Sequence, residues 1–296
     1  MSTPTSLDLP DEVRRTTILT SRGAFAALEA EPASGVCERE AALLVPGYTG
    51  SKEDFLAVLA LLAGAGRRVC AIDMRGQFES PAATEDEGYS PSALGSDITA
   101  LLHATSARHL LGHSYGGLIA REAVLASAGG ELASVTLMST GPAALTGPRA
   151  EELRGMLGVL GAEDGLPAQA ELQAGISDIW QSYLEPQAVE AGVPGPVVAF
   201  LAKRMLSNDP SGLVLMARHL LSAEDRTAEL ARRRELPVLV IYGENDNSWS
   251  PGEQEAMAAR LEARRVCIPG AVHSPAVEAP ATTAATLTQF WNAAEA

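Results

Sequence analysis

Apolar positions along the chain fall into two alternating patterns. Short runs rich in Val, Leu, Ile and Ala read as strands, and longer stretches with helical spacing follow them. Residues 14–20 and 24–30 read as two strands joined by a turn at Ser21-Arg22-Gly23. Residues 40–45 form an apolar run stopped by Pro46-Gly47, which suits a buried strand. The spacing then predicts a helix over 51–63, with Ser51 as its cap, Asp54 three residues on, and Gly64 and Gly66 ending it. A strand at 68–72, a helix at 91–105 capped by Ser90, a strand at 109–111, a helix at 115–128 and a strand at 132–138 continue the alternation.

The rhythm breaks after Gly141-Pro142. From 143 to about 234 there are helical patterns and prolines at 148, 167, 186, 194 and 196, and no strand pattern. Alternation then resumes with a strand at 237–242, a helix at 251–263, a strand at 265–268 and a helix at 282–294. Strands alternating with helices predict βαβ units, and so an α/β fold with a mostly parallel sheet flanked by helices. The expected organisation is a core over 1–141, a helical insertion over 142–234, and the rest of the core over 235–296. There is no internal repeat and no low-complexity tract.

Composition narrows the class. Of 296 residues, 46% are hydrophobic and 20% charged, enough for a large core, while aromatics are only 4%, so that core must rest on Ala, Val and Leu. Acids outnumber bases 37 to 22, giving a net charge of -15. This argues against nucleic acid as a partner, because phosphate binding draws on Lys and Arg. Cys37, Cys70 and Cys267 form no CxxC and cannot all pair; Cys70 and Cys267 sit in apolar runs and are expected to be buried thiols in a reducing compartment. Residues 1–12 are polar, with no basic start followed by an apolar stretch, so no secretory signal is expected. No segment approaches the roughly 20 apolar residues that span a bilayer. The expectation is a cytoplasmic protein without a membrane partner.

The chemistry begins at Gly112-His113-Ser114-Tyr115-Gly116, a G-x-S-x-G between a predicted strand and a predicted helix. A bare G-x-S-x-G is a weak signal, and the strand–turn–helix context gives it weight. Such a turn strains the serine and projects its hydroxyl above the sheet, while small residues on both sides let strand and helix approach. Ser114 is the candidate nucleophile. The helix start places the amide of Tyr115 where it can stabilise an oxyanion, and the amide of Tyr48, in the Pro46-Gly47-Tyr48-Thr49-Gly50 loop, is the candidate second donor.

A serine needs a base, and the base needs an orienting group. Of five histidines, His273 follows the last strand, in a loop on the sheet edge where the serine turn lies. His103, His109, His113 and His219 are placed elsewhere, and His113 is expected to point away from the hydroxyl. The strand at 237–242 ends in Gly243-Glu244-Asn245-Asp246, so Asp246 and Glu244 are the candidate acids. Asp246 is favoured because residues 243–245 provide a turn that returns its side chain over the sheet. No His/Cys/Asp cluster has metal-ligand spacing, and neither a Walker A sequence nor a dinucleotide fingerprint occurs, so no metal or cofactor is expected.

Together these segments, with Gly270-Ala271-Val272-His273-Ser274-Pro275, resemble the α/β-hydrolase superfamily over almost the whole chain outside the insertion. Asp73-Met74-Arg75-Gly76-Gln77-Phe78-Glu79-Ser80 is similar to that family's D-x-R-G-x-G-x-S loop, with Phe78 where the pattern has glycine, so that the loop is expected either to be shaped differently or to place an aromatic ring near the site. Pro46-Gly47 stands where the family commonly has His-Gly. The resemblance implies an α/β-hydrolase fold in which the insertion is a helical cap over the site; Trp180, Tyr183, Met205 and Met216 are candidates for lining it, though at helical spacing each is expected first to pack the cap onto the core. It implies a serine hydrolase acting on a small-molecule ester or thioester through an acyl-enzyme. The alternatives are C–C bond hydrolysis, perhydrolysis or amide cleavage at the same triad, or a binding module without catalysis.

Overall fold

A computed structural model describes all residues, 1–296. Eight strands form one sheet: β1 (Val13–Thr20), β2 (Gly23–Ala30), β3 (Arg39–Val45), β4 (Arg67–Ile72), β5 (His109–His113), β6 (Ser134–Met138), β7 (Val238–Gly243) and β8 (Arg264–Ile268). Their spatial order is β1-β2-β4-β3-β5-β6-β7-β8. The pairs β1/β2 and β2/β4 are antiparallel and every other pair is parallel. Each predicted strand is present within a few residues of its expected bounds.

Burial of both faces explains why the central strands read as continuous apolar runs. Alternate residues go to opposite layers: Leu43 and Val45 of β3 pack on one side, Ala42 and Leu44 on the other. The first layer takes α2 (Pro91–Thr105) and α3 (Tyr115–Ala126), together with α10 (Pro251–Arg260). The second takes α1 (Leu56–Gly64) and the C-terminal helix Pro280–Ala294, which pack on each other. Trp291 of that last helix is fully buried; side chains of this size contribute most to such a core.

Between β6 and β7 lies a wholly helical segment. It comprises α4 (Gly147–Val159), α5 (Gln169–Ile179), α6 (Glu185–Glu190), α7 (Gly195–Leu206), α8 (Pro210–Ser222) and α9 (Thr227–Leu230). A π turn at Trp180–Leu184 joins α5 to α6. Its apolar faces continue the first layer. No helix of the protein is long and apolar enough to cross a membrane.

Three local readings change. The helix expected over 51–63 opens with a 3₁₀ turn, Lys52–Phe55, before α1. The Lys52 N–H and ammonium both bond the Asp73 carboxylate, at 2.8 and 2.7 Å, and Arg204 of α7 bonds Asp54 at 2.7 Å. Tertiary partners thus decide the winding of that turn. Cys70 is buried as expected, but Cys267 is exposed, because β8 is an edge strand paired only with β7. Phe78 adopts the left-handed backbone that its glycine counterpart would favour (φ 42°). Its ring packs edge-on against Phe200 of α7, 5.7 Å between centroids, and not into the site.

Candidate active site

Six parallel strands bring their C-terminal ends to one edge of the sheet, and the loops that follow them build the site. Ser114 occupies the single residue between β5 and α3, with φ 54° and ψ -121°. Such a conformation costs on the order of 1–3 kcal/mol and persists only when its surroundings fix it. The Ser114 N–H donates to Met138 O at 2.8 Å, tying the turn to β6. Close approach does the rest. A Cβ on Gly112 would stand 2.2 Å from Gly116 O, and one on Gly116 would stand 2.3 Å from Pro46 O.

The Ser114 hydroxyl lies 2.9 Å from His273 Nε2, and His273 Nδ1 lies 2.9 Å from Asp246 Oδ1. An ionised carboxylate only accepts, so Nδ1 carries the proton and Nε2 presents its lone pair to the serine. Asp246 also accepts from the Ser248 N–H at 3.0 Å and from Gln254 Nε2 at 2.9 Å. Burial pushes this carboxyl up, but the bonds from His273, Ser248 and Gln254 outweigh burial and hold it below the usual carboxylate range. Glu244 turns elsewhere and accepts from the Gly270 N–H at 2.9 Å. The structure therefore brings Ser114, His273 and Asp246 together and leaves Glu244 out.

His113 points away from the Ser114 hydroxyl, as expected, but it has a partner that sequence spacing does not announce. Its Nε2 lies 2.7 Å from the backbone carbonyl of His273, to which it donates. Burial, with His273 adding to it, holds the imidazole down at about 3, so the ring is neutral. The two rings lie 5.1 Å apart. Gln254 is a second residue that sequence reading missed: it bonds both Asp246 and the Trp249 carbonyl. Only an Asp-to-Gln spacing across a loop and a helix start could have signalled it.

The loop after β3 passes beside the serine. A Cβ on Gly47 would stand 3.2 Å from Ser114 Cβ and 3.6 Å from its Oγ. Gln77, fully buried, donates from Nε2 to the carbonyls of Gly47 and Tyr48, each at 2.8 Å. The Tyr48 hydroxyl donates to Leu213 O of α8 at 2.8 Å, and the Tyr115 hydroxyl lies 3.2 Å from His219 Nδ1, also on α8. Burial raises both phenols well above their ordinary range, so each stays neutral.

Above Ser114 opens a cavity of about 230 Å³. Its walls include Leu145, Leu153, Met156, Leu184, Met205 and Leu220 from the segment between β6 and β7. Arg149 and Glu152 also border it and pair with each other at 2.7 Å. Of the four candidate lining residues, Tyr183 and Met205 border the cavity, whereas Trp180 and Met216 are packed in the apolar layer. Residues 1 and 2 also fold back to close one wall, with Ser2 Oγ 2.8 Å from Ser274 Oγ. Nothing in their composition signalled that position.

Residues 42–280 match the family described as the alpha/beta hydrolase fold. A Variovorax paradoxus (strain S110) protein described as a carbamate hydrolase is 40% identical over 93 residues, which cover 31% of this chain and 35% of that protein. The similarity thus spans about a third of that relative's length. A hydrolase from Pseudomonas aeruginosa PA01 is 27% identical, with a TM-score of 0.68, covering 94% of this chain and 98% of that one. A thermophilic esterase from Thermogutta terrifontis shares the fold at 23% identity and a TM-score of 0.69, covering 96% of this chain and all of that one.

Proposed function

This chain belongs to the α/β-hydrolase family, and from that premise we propose that it is a serine hydrolase that cleaves small aliphatic carboxylic esters through an acyl-enzyme. The observation that carries the reading is the unbroken chain of contacts from Asp246 through His273 to Ser114, 2.9 Å at each step, at the floor of an apolar cavity.

Ser114 Oγ attacks the ester carbonyl carbon while His273 Nε2 takes its proton. Asp246 keeps the proton on Nδ1 and stabilises the imidazolium that forms. The amides of Tyr48 and Tyr115 receive the oxyanion. Collapse of the tetrahedral intermediate breaks the carbon–oxygen bond, and His273 returns the proton to the leaving alkoxide. Water then attacks the acyl-enzyme with the same base, releasing the acid and restoring the Ser114 hydroxyl.

The inserted helices act in this reading as a cap that selects the substrate. Their lining is largely aliphatic, and Arg149 is already paired with Glu152, so an alkyl acyl group is favoured over a charged one, because a buried unpaired charge costs roughly several kcal/mol. A carbamate is the second reading, favoured by the description of the V. paradoxus relative. It meets the same nucleophile with nitrogen in place of the acyl carbon chain.

Turnover of nitrophenyl acetate, butyrate and octanoate, alongside an N-alkyl nitrophenyl carbamate, tests the proposal. The expected result is ester turnover that vanishes in Ser114→Ala and in His273→Ala, with butyrate preferred to acetate. Equal rates for wild type and both variants would overturn it, and faster carbamate than ester turnover would select the second reading.

A further inference from the structure

We infer that Gln77 is a positioning residue that aims the oxyanion-binding amide of Tyr48. The inference rests on the serine hydrolase reading above and concerns a residue that takes no part in the proton transfers. Gln77 lies in the loop after β4, is 1% exposed, and has no route to a substrate except through its neighbours. Its amide is fully used. Nε2 has two hydrogens and meets two acceptors, Gly47 O and Tyr48 O, while Oε1 accepts from the Met74 N–H at 3.1 Å. Both carbonyls can only accept and the Met74 amide can only donate, so the orientation of the side-chain amide is determined.

The consequence follows from peptide geometry. A carbonyl and the N–H of the next residue belong to one planar trans unit and point to opposite sides, and no peptide bond here is cis. Drawing the Gly47 carbonyl to Gln77 therefore turns the Tyr48 N–H the other way. Drawing the Tyr48 carbonyl does the same for the Thr49 N–H. No acceptor of the protein takes either N–H, and Gly47, Tyr48 and Thr49 border the cavity over Ser114. One buried side chain thus holds two successive peptides with their donors toward the reacting centre before substrate arrives. Preorganised donors stabilise the oxyanion without reorientation during the reaction. Without Gln77 the loop retains the Gly50 N–H to Gly47 O bond at 3.1 Å, but nothing fixes the Tyr48 carbonyl.

The test replaces Gln77 by Met, which keeps the length and removes both donors. The expected result with nitrophenyl butyrate is a kcat lower by about 10- to 100-fold with KM changed less than about threefold. A butyl trifluoromethyl ketone, which forms an oxyanion on Ser114, should lose affinity by the same factor as kcat/KM. Butanol, a ground-state competitor without an oxyanion, should bind as before. Gln77→Leu, which removes both donors with a smaller apolar side chain, should give the same split if the methionine variant does not fold. Wild-type kcat in either variant, or equal weakening of ketone and alcohol, would overturn the inference. Ser114→Ala separates the two levels. If it retains turnover, the nucleophile reading and this inference fall together; if it is inactive while Q77M turns over like wild type, only the role of Gln77 falls.

Discussion

The phenol of Tyr48 donates to the carbonyl of Leu213 at 2.8 Å, so the loop beside Ser114 is tied to helix α8 of the inserted segment. Tyr115, the residue after the serine, reaches the same helix through His219 at 3.2 Å. The two residues proposed to supply oxyanion amides are thus anchored, through their side chains, to one helix of the segment between β6 and β7. Tyr48→Phe removes the first anchor. The expected loss is about 1 kcal/mol of stability, the net worth of one buried hydrogen bond, read as a lower melting temperature, with kcat reduced by less than about tenfold.

Asp246 and Glu244 are two residues apart but face different partners. Asp246→Asn leaves an amide beside His273 Nδ1 and favours the wrong tautomer, so kcat should fall by about 10⁴-fold. Glu244→Gln keeps an acceptor for the Gly270 N–H and should change kcat by less than about twofold. Steady-state kinetics on both variants decide the assignment, and comparable losses would contradict it.

Gly116 is required by space and not by backbone freedom. Its added Cβ would meet Pro46 O at 2.3 Å and Val45 O at 2.7 Å, both rigid backbone atoms. Gly116→Ala must push α3 away from the end of β3, at a cost of about 1–3 kcal/mol or more. Urea denaturation should show the loss, and esterase turnover should fall with it because the displaced loop carries Tyr48.

His109 sets a pH dependence of stability away from the site. It is fully buried, 2.8 Å from Ser134 Oγ and 2.9 Å from Glu295 Oε1, and its ring stacks on Trp291. Burial holds its pKa down at about 4, against 6.5 for a free imidazole. Between those values the unfolded chain binds more protons than the folded one, so the neutral histidine's contribution is intact above pH 6.5 and is lost as pH falls toward 4. A His109→Gln variant lacks this titration. The stability difference between wild type and variant should shrink by about 3 kcal/mol from pH 7 to pH 4, measured by denaturant unfolding at each pH. A pH-independent difference would contradict it.

Much of this molecule is written in local pattern. Continuous apolar runs bounded by Gly and Pro determine the strands, because both faces of the central sheet are covered. The alternation of those runs with helical stretches determines the mostly parallel order, and a glycine two residues either side of Ser114 marks where strand and helix must touch. The position of His273 after the last strand follows from the same logic.

What the sequence could not decide depends on distance in space. The choice between Asp246 and Glu244 turns on which side chain the 243–246 turn returns toward His273. The exposure of Cys267 depends on β8 being an edge. Gln77, His113 and Gln254 act through hydrogen bonds to backbone or side-chain groups that lie 30 and 29 residues, 160 residues and 8 residues away along the chain. Buried polar groups must find partners wherever packing offers them. Periodicity records which residues are buried, but the identity of a hydrogen-bond partner is settled only when the sheet edge gathers its loops.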